Sequence, residues 1–132
     1  MVSPQQVVRS ICLSFPDVEE RLSHGHPAWF IRGKRQFATY HSAHHDVSRP
    51  HLWCAAPPGA QEALVARDPA TYFRPSYVGH RGWVGMYLDT GAGSSEIEGL
   101  LIEAFRSVAP AKVLAQFDRA GETDIPGRPA TS

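Results

Sequence analysis

The stretch WFIRGKRQFATY, residues 29–40, constrains the fold more than any other in the chain. Two runs rich in aromatic and β-branched residues flank Gly33 and Lys34, the pattern of two antiparallel strands joined by a tight turn. A chain that contains it has to build an antiparallel sheet and bury one face of it. The runs predict strands over Ala28–Arg32 and Gln36–Tyr40, and HLWCA predicts a third over His51–Ala55. WVGMYL then alternates, with Val84, Met86 and Leu88 on one side and Trp83 and Tyr87 on the other, so it reads as a further strand. Residues 74–78 are expected to add one at the edge.

Helices bracket these strands. Ser3, Pro4 and Gln6 form a helix start, and Val7, Val8, Ile11, Cys12 and Phe15 then share one stripe until Pro16. AQEALVAR follows the Pro57–Pro58–Gly59 break and predicts a short second helix. The strongest amphipathic pattern opens at Ser95, with Glu98 three residues on, and sets Ile97, Leu100, Leu101, Ala104, Phe105 and Val108 on one side, ending before Pro110. Ala111–Ala120 gives a last helix with Val113, Leu114 and Phe117 as its apolar contacts, ended by Gly121. The expected architecture is α+β: an antiparallel sheet of four or five strands with helices packed on one face. Residues 1–120 form one domain in this reading, and 121–132 a flexible tail.

Size and charge narrow the function classes. At 132 residues and 42% hydrophobic content, the chain suffices for one core. Thirteen basic residues balance thirteen acidic ones, so overall charge does not favour a polyanion partner. The distribution is uneven, because residues 21–85 carry a net +5 while both flanks are negative. The N-terminus lacks the charged start and unbroken apolar run of a signal peptide, and no membrane span is read, so a cytoplasmic protein is expected. Cys12 and Cys54 read as two buried thiols.

Several residues invite a chemical role. HGHPAW and HSAHHDVSRPH gather histidines, but His41, His44, His45, Asp46 and His51 match no standard metal spacing and read as a solvated loop, so no metal and no cofactor is assigned. Catalysis has weak candidates in Cys54, His80, Tyr77 and the acids of residues 17–20. No G-x-S-x-G, HExxH, P-loop or CxxC is present, and a binding protein is expected, not an enzyme.

Four short motifs occur in order along the chain: Gly25, Pro27, Ala28 and Phe30 at the entry to the first strand; Gly33, Lys34, Phe37 and Ala38 in the hairpin; Tyr77, Gly79, Gly82, Trp83 and Val84; and Val108, Ala109 and Pro110 at a helix end. With the order of elements, they resemble the MmcQ/YjbR family of small bacterial proteins. The likeness spans Val7 to Asp118. It implies a frataxin-like arrangement of helices on a sheet and a family label of DNA-binding protein that rests on fold analogy. Iron, which the frataxin-like shape would suggest, is not carried over, because the first helix has almost no acids.

Two binding readings remain, from different classes, of which nucleic-acid contact is the expected one and the other its alternative. In the first, Arg32, Lys34 and Arg35 at the hairpin tip, with Arg74, His80 and Arg81 beside the last strands, touch DNA phosphates. Three cations at a β-turn are also common edge protection. In the second, the sheet face away from the helices, with Tyr77, Trp83 and Tyr87 on it and Trp29 or Trp53 as further candidates, binds a small molecule or a protein. Gly79 and Gly82 are expected to supply positive φ for a reversal that displays His80 and Arg81.

Overall fold

The computed structural model describes residues 2–42 and 48–123. His44, His45 and Asp46 of the histidine-rich segment, and residues 124–132 of the expected tail, lie outside the described residues.

Helix α1, Pro4–Leu13, begins as its sequence dictates: the Gln6 amide donates to the Ser3 hydroxyl and the Ser3 amide donates to the Gln6 side chain. Its inner stripe buries Val8 and Cys12, and Phe15 beyond its end is buried as well. Six strands follow among the described residues: β1 (Val18–Ser23), β2 (His26–Ile31), β3 (Arg35–His41), β4 (His51–Cys54), β5 (Tyr72–Phe73) and β6 (Val84–Tyr87). They form one antiparallel sheet in the order β1-β2-β3-β4-β6-β5. The α+β class holds, and the sheet has one strand more than the expected maximum of five.

The additional strand is β1, which reads VEERLS. Charges conceal it, because Glu20 occupies an inward position that is normally apolar. There Glu20 accepts two hydrogen bonds from Arg9 of α1, both 2.8 Å, and one from the Trp29 indole N–H at 3.1 Å. Trp29 is fully buried, so this carboxylate satisfies a donor that has no access to water. The Arg9 hydrogen bond holds the Glu20 carboxyl below its usual range, against a weaker opposing effect of burial. A two-residue loop joins β1 to β2, with φ of +53° at His24 and +83° at Gly25, as a primed hairpin turn requires.

A second difference concerns the other edge. Residues 74–78 are not a strand; the edge strand is Tyr72–Phe73, paired with Met86 and Gly85. Pro75 ends the run, since it cannot donate to a ladder.

Between β2 and β3 the pairing passes from Trp29↔Ala38 to Phe30↔Gln36, which leaves Phe37 as an extra residue, a β-bulge. Its effect is a change of parity. Phe37 and Ala38 both join the core under the helices, and Gln36 is transferred to the opposite face. Helix α3 (Ser94–Val108) and helix α4 (Ala111–Thr123) complete the layer, while α2 (Ala60–Arg67) lies beside β5. Ile97, Leu100, Leu101, Ala104 and Phe105 of α3 are buried, as their spacing predicts. Its N-cap is Gly93 rather than Ser95, and α4 runs through Gly121, so neither of those expected boundaries holds. No helix among the described residues is long and apolar enough to cross a membrane.

Candidate functional site

The helix-free face of the sheet carries a groove of about 460 Å³. Four segments build it: the β1–β2 turn with Ser23, His24 and His26; β3 with Gln36, Thr39 and His41; Trp53 of β4; and the loop with Tyr77, Val78 and Arg81. Its floor is aromatic, because the His41 ring lies 4.4 Å from His26 and 4.1 Å from Trp53 between centroids. His51 stacks on His41 at 4.9 Å and 10° between planes. At the wall, the Gln36 amide donates to the Thr39 hydroxyl at 3.0 Å, a contact that the bulge at Phe37 makes geometrically available.

The loop over the groove is pinned from behind. Gln61 of α2 is buried, and its amide donates to the carbonyls of Gly79 at 2.8 Å and Trp83 at 2.5 Å. Between them a 3-10 turn spans Gly79–Arg81 and ends at Gly82, where φ is +85°. Gly82 therefore supplies the left-handed residue that the sequence suggested. Gly79 serves a different purpose: a Cβ there would meet the Arg74 Cγ at 2.7 Å, so glycine permits close approach and not positive φ. Tyr77 takes the left-handed conformation without being glycine, at φ +64°, and is 66% exposed at the rim. Such a conformation costs about 1–3 kcal/mol and persists only where its surroundings impose it. Each Gln61 bond is worth about 0.5–1.5 kcal/mol net. Accordingly, Gln61→Met should accelerate amide hydrogen exchange at Gly82 by about ten-fold while leaving β3 protected.

The histidines are placed differently from the expected solvated loop. His41 closes β3 and His51 opens β4, paired with each other and both buried. The His51 Nδ1 lies 2.7 Å from the Arg49 carbonyl, which can only accept, so Nδ1 carries the proton and donates. Its Nε2 is buried with no hydrogen-bond partner among the described residues. Burial lowers the His51 pKa, the backbone bond opposes that, and His26 adds to it. An unfolded chain then binds this proton more readily than the folded one, so stability is complete above about pH 6.5 and falls as the pH drops below it. Thermal melts between pH 7.5 and 5 should show a loss of at most about 1.4 kcal/mol per pH unit from this group, reduced in His51→Phe. Parallel stacking does not converge the ring nitrogens, and no group of three His, Cys, Asp or Glu among the described residues is arranged to hold a metal.

The residues expected to contact DNA are dispersed. Arg32 is paired with Asp17 at 3.1 Å, and Arg35 donates to the Val108 carbonyl at 3.2 Å at the end of α3. Lys34, Arg74 and His80 are exposed. Arg81 lines the groove, with its guanidinium 5.0 Å from the Trp83 ring centroid. Arg35 and Arg81 thus serve opposite faces of the sheet.

The aromatic trio is not assembled either. Tyr77 lines the groove, but Trp83 is a core residue. Tyr87 is half-buried, stacked on Phe73 at 4.5 Å with the Arg49 guanidinium 3.8 Å from its ring. What the sequence did not show is the contribution of His26, Gln36, Thr39 and Val78. Of the aromatic residues expected on that face, Tyr77 and Trp53 do line the groove. Both cysteines are buried free thiols, and burial raises their pKa, which removes the thiolate that nucleophilic chemistry needs.

The sequence model of the YjbR family matches residues 13–107. Among solved structures, the crystal structure of Deinococcus radiodurans protein DR2400, of domain family DUF419, is similar over 98% of this chain and 94% of its own, with a TM-score of 0.64 and 17% identity. That likeness shows a shared fold. No curated protein matches the sequence.

Proposed function

The chain belongs to the YjbR family, and we propose that it acts as a binding module for a small molecule seated on the helix-free face of its sheet. One observation carries this reading: a groove within the usual range of ligand pockets, with an aromatic floor and a wall loop fixed by a buried glutamine. No covalent step is assigned to it. Fixing the loop before a ligand arrives lowers the ordering cost of binding, which is how a modest contact area yields useful affinity.

Nucleic-acid contact, the other reading, draws support from exposed Lys34, Arg74, His80 and Arg81. It is weakened by geometry, since Arg32 is already neutralised by Asp17 and Arg35 is committed to a helix end. A phosphate footprint gains affinity from each additional cation on one surface.

The test is an amide-resolved NMR fragment screen run beside a fluorescence anisotropy titration of a labelled DNA duplex at two salt concentrations. Fragment hits should move amides of residues 23–26, 36–41, 53 and 77–81. A duplex that binds near physiological salt, weakens steeply as salt rises, and loses affinity in Lys34→Ala would replace this reading with the nucleic-acid one.

A further inference from the structure

We infer that the ligand of this groove is a small organic anion with a flat apolar body, its charge met by Arg81; the inference rests on the groove being the binding site. The first observation is the lining itself. Among the described residues it holds a guanidinium, three imidazoles, an amide and two hydroxyl side chains besides Tyr77, and no carboxylate.

The second is the setting of Arg81. Arg9, Arg21, Arg32, Arg49 and Arg106 each meet a carboxylate within 3.4 Å, whereas Arg35, Arg67, Arg74, Arg81 and Arg119 form no ion pair among the described residues; of these five, Arg81 is the one that lines the groove. Arg81 has no carboxylate partner among the described residues, and its guanidinium is instead set over the Trp83 ring. Resting on an aromatic ring orients the guanidinium plane while leaving its N–H donors available. An uncompensated cation at the mouth of a groove with low-dielectric walls raises the local concentration of anions. Guanidinium also matches carboxylate and phosphate oxygens with two parallel hydrogen bonds.

The floor selects the body of the ligand. His41 is 2% exposed and Trp53 8% exposed, so these two rings are the packed base of the floor, and half-buried His26 is the ring of the three that a ligand can reach. The His41 ring is tilted by 52° to His26 and 42° to Trp53, so the floor is not one plane, and a flat ligand would lie against the His26 ring. Tyr77 at the rim, held in its left-handed conformation, adds an aromatic wall. A duplex cannot enter a space of about 460 Å³, whereas an aromatic carboxylate or a nucleoside monophosphate can.

Two matched pairs test the inference by NMR titration at constant ionic strength: indole-3-acetate against indole-3-acetamide, and adenosine monophosphate against adenosine. The anion of at least one pair should shift groove amides and bind about ten-fold tighter than its neutral partner, the lower end of what a hydrogen bond to a charged group contributes. Whichever pair discriminates tells a carboxylate source from a phosphate one. Arg81→Gln should abolish the difference within each pair while keeping wild-type spectral dispersion, since an exposed charge adds little to stability. Neutral partners that bind the groove as well as the anions, or an anion preference unchanged in Arg81→Gln, would overturn the inference and leave the binding module standing. Silence from all four probes would overturn it too, and the fragment screen then decides whether the groove binds anything.

Discussion

Phe105→Ala is expected to cost about 3–5 kcal/mol, among the largest single-residue losses in the molecule. Phe105 is fully buried, and its ring stands 4.8 Å from Phe15, 5.8 Å from Phe37 and 5.3 Å from Phe117 between centroids. It therefore joins the segment after α1, the bulge of β3, and α4 through one side chain. Truncation removes the buried ring and leaves a cavity whose walls come from separate elements, none free to move in alone. Urea melts at pH 7.5 measure the cost directly. A loss below about 1 kcal/mol would mean that the three neighbouring rings collapse into the space, and that the helical layer is much softer than its burial suggests.

The second large effect is expected at Gly85, in the middle of β6. The Phe73 ring lies over this glycine, and an added Cβ would overlap it, with the Phe73 Cε1 only 2.6 Å away. Displacing the ring is difficult because it is stacked on Tyr87 and meets His51 edge-on at 5.6 Å. Gly85→Val should accordingly destabilise by about 1–3 kcal/mol through overpacking, even though valine favours strands. Combining it with Phe73→Ala isolates the cause. Most of the loss should be recovered in the double variant relative to Phe73→Ala alone; additive losses would place the strain elsewhere.

How much was legible in the sequence depends on the distance over which each residue's role is decided. The start of α1 was readable because Ser3 and Gln6 satisfy one another within a turn. The buried stripe of α3 was readable because its period is local. β1 escaped because Glu20 is inward-facing only by virtue of Arg9, eleven residues earlier, and Trp29, nine residues later. The one available signal was His24–Gly25, a two-residue turn between Ser23 and its partner His26.

The groove escaped for a related reason. Strict alternation assigns faces correctly only until a bulge, and Phe37 reverses the parity of Gln36 relative to Thr39. Trp83 and Tyr87 do fall an even four residues apart, yet Trp83 precedes β6 and is buried in the core. Charge was misread in the same way: a cluster of cations in sequence says nothing about acids brought alongside by folding, and Asp17 reaches Arg32 across fifteen residues.

The strand order also imposes a schedule on the growing chain. From β1 to β4 each strand pairs with the one made just before it, so this part of the sheet can close by successive hairpins soon after synthesis. β4 is different, because its outer neighbour is β6, and the last residue of that strand, Tyr87, is thirty-three residues beyond Cys54. Until then the nascent protein presents an unpaired edge whose four residues are all buried in the finished fold. Every translation of this chain passes through an interval in which a hydrogen-bonding edge that the finished fold buries is open to other molecules, and the arrival of β6 is what ends it.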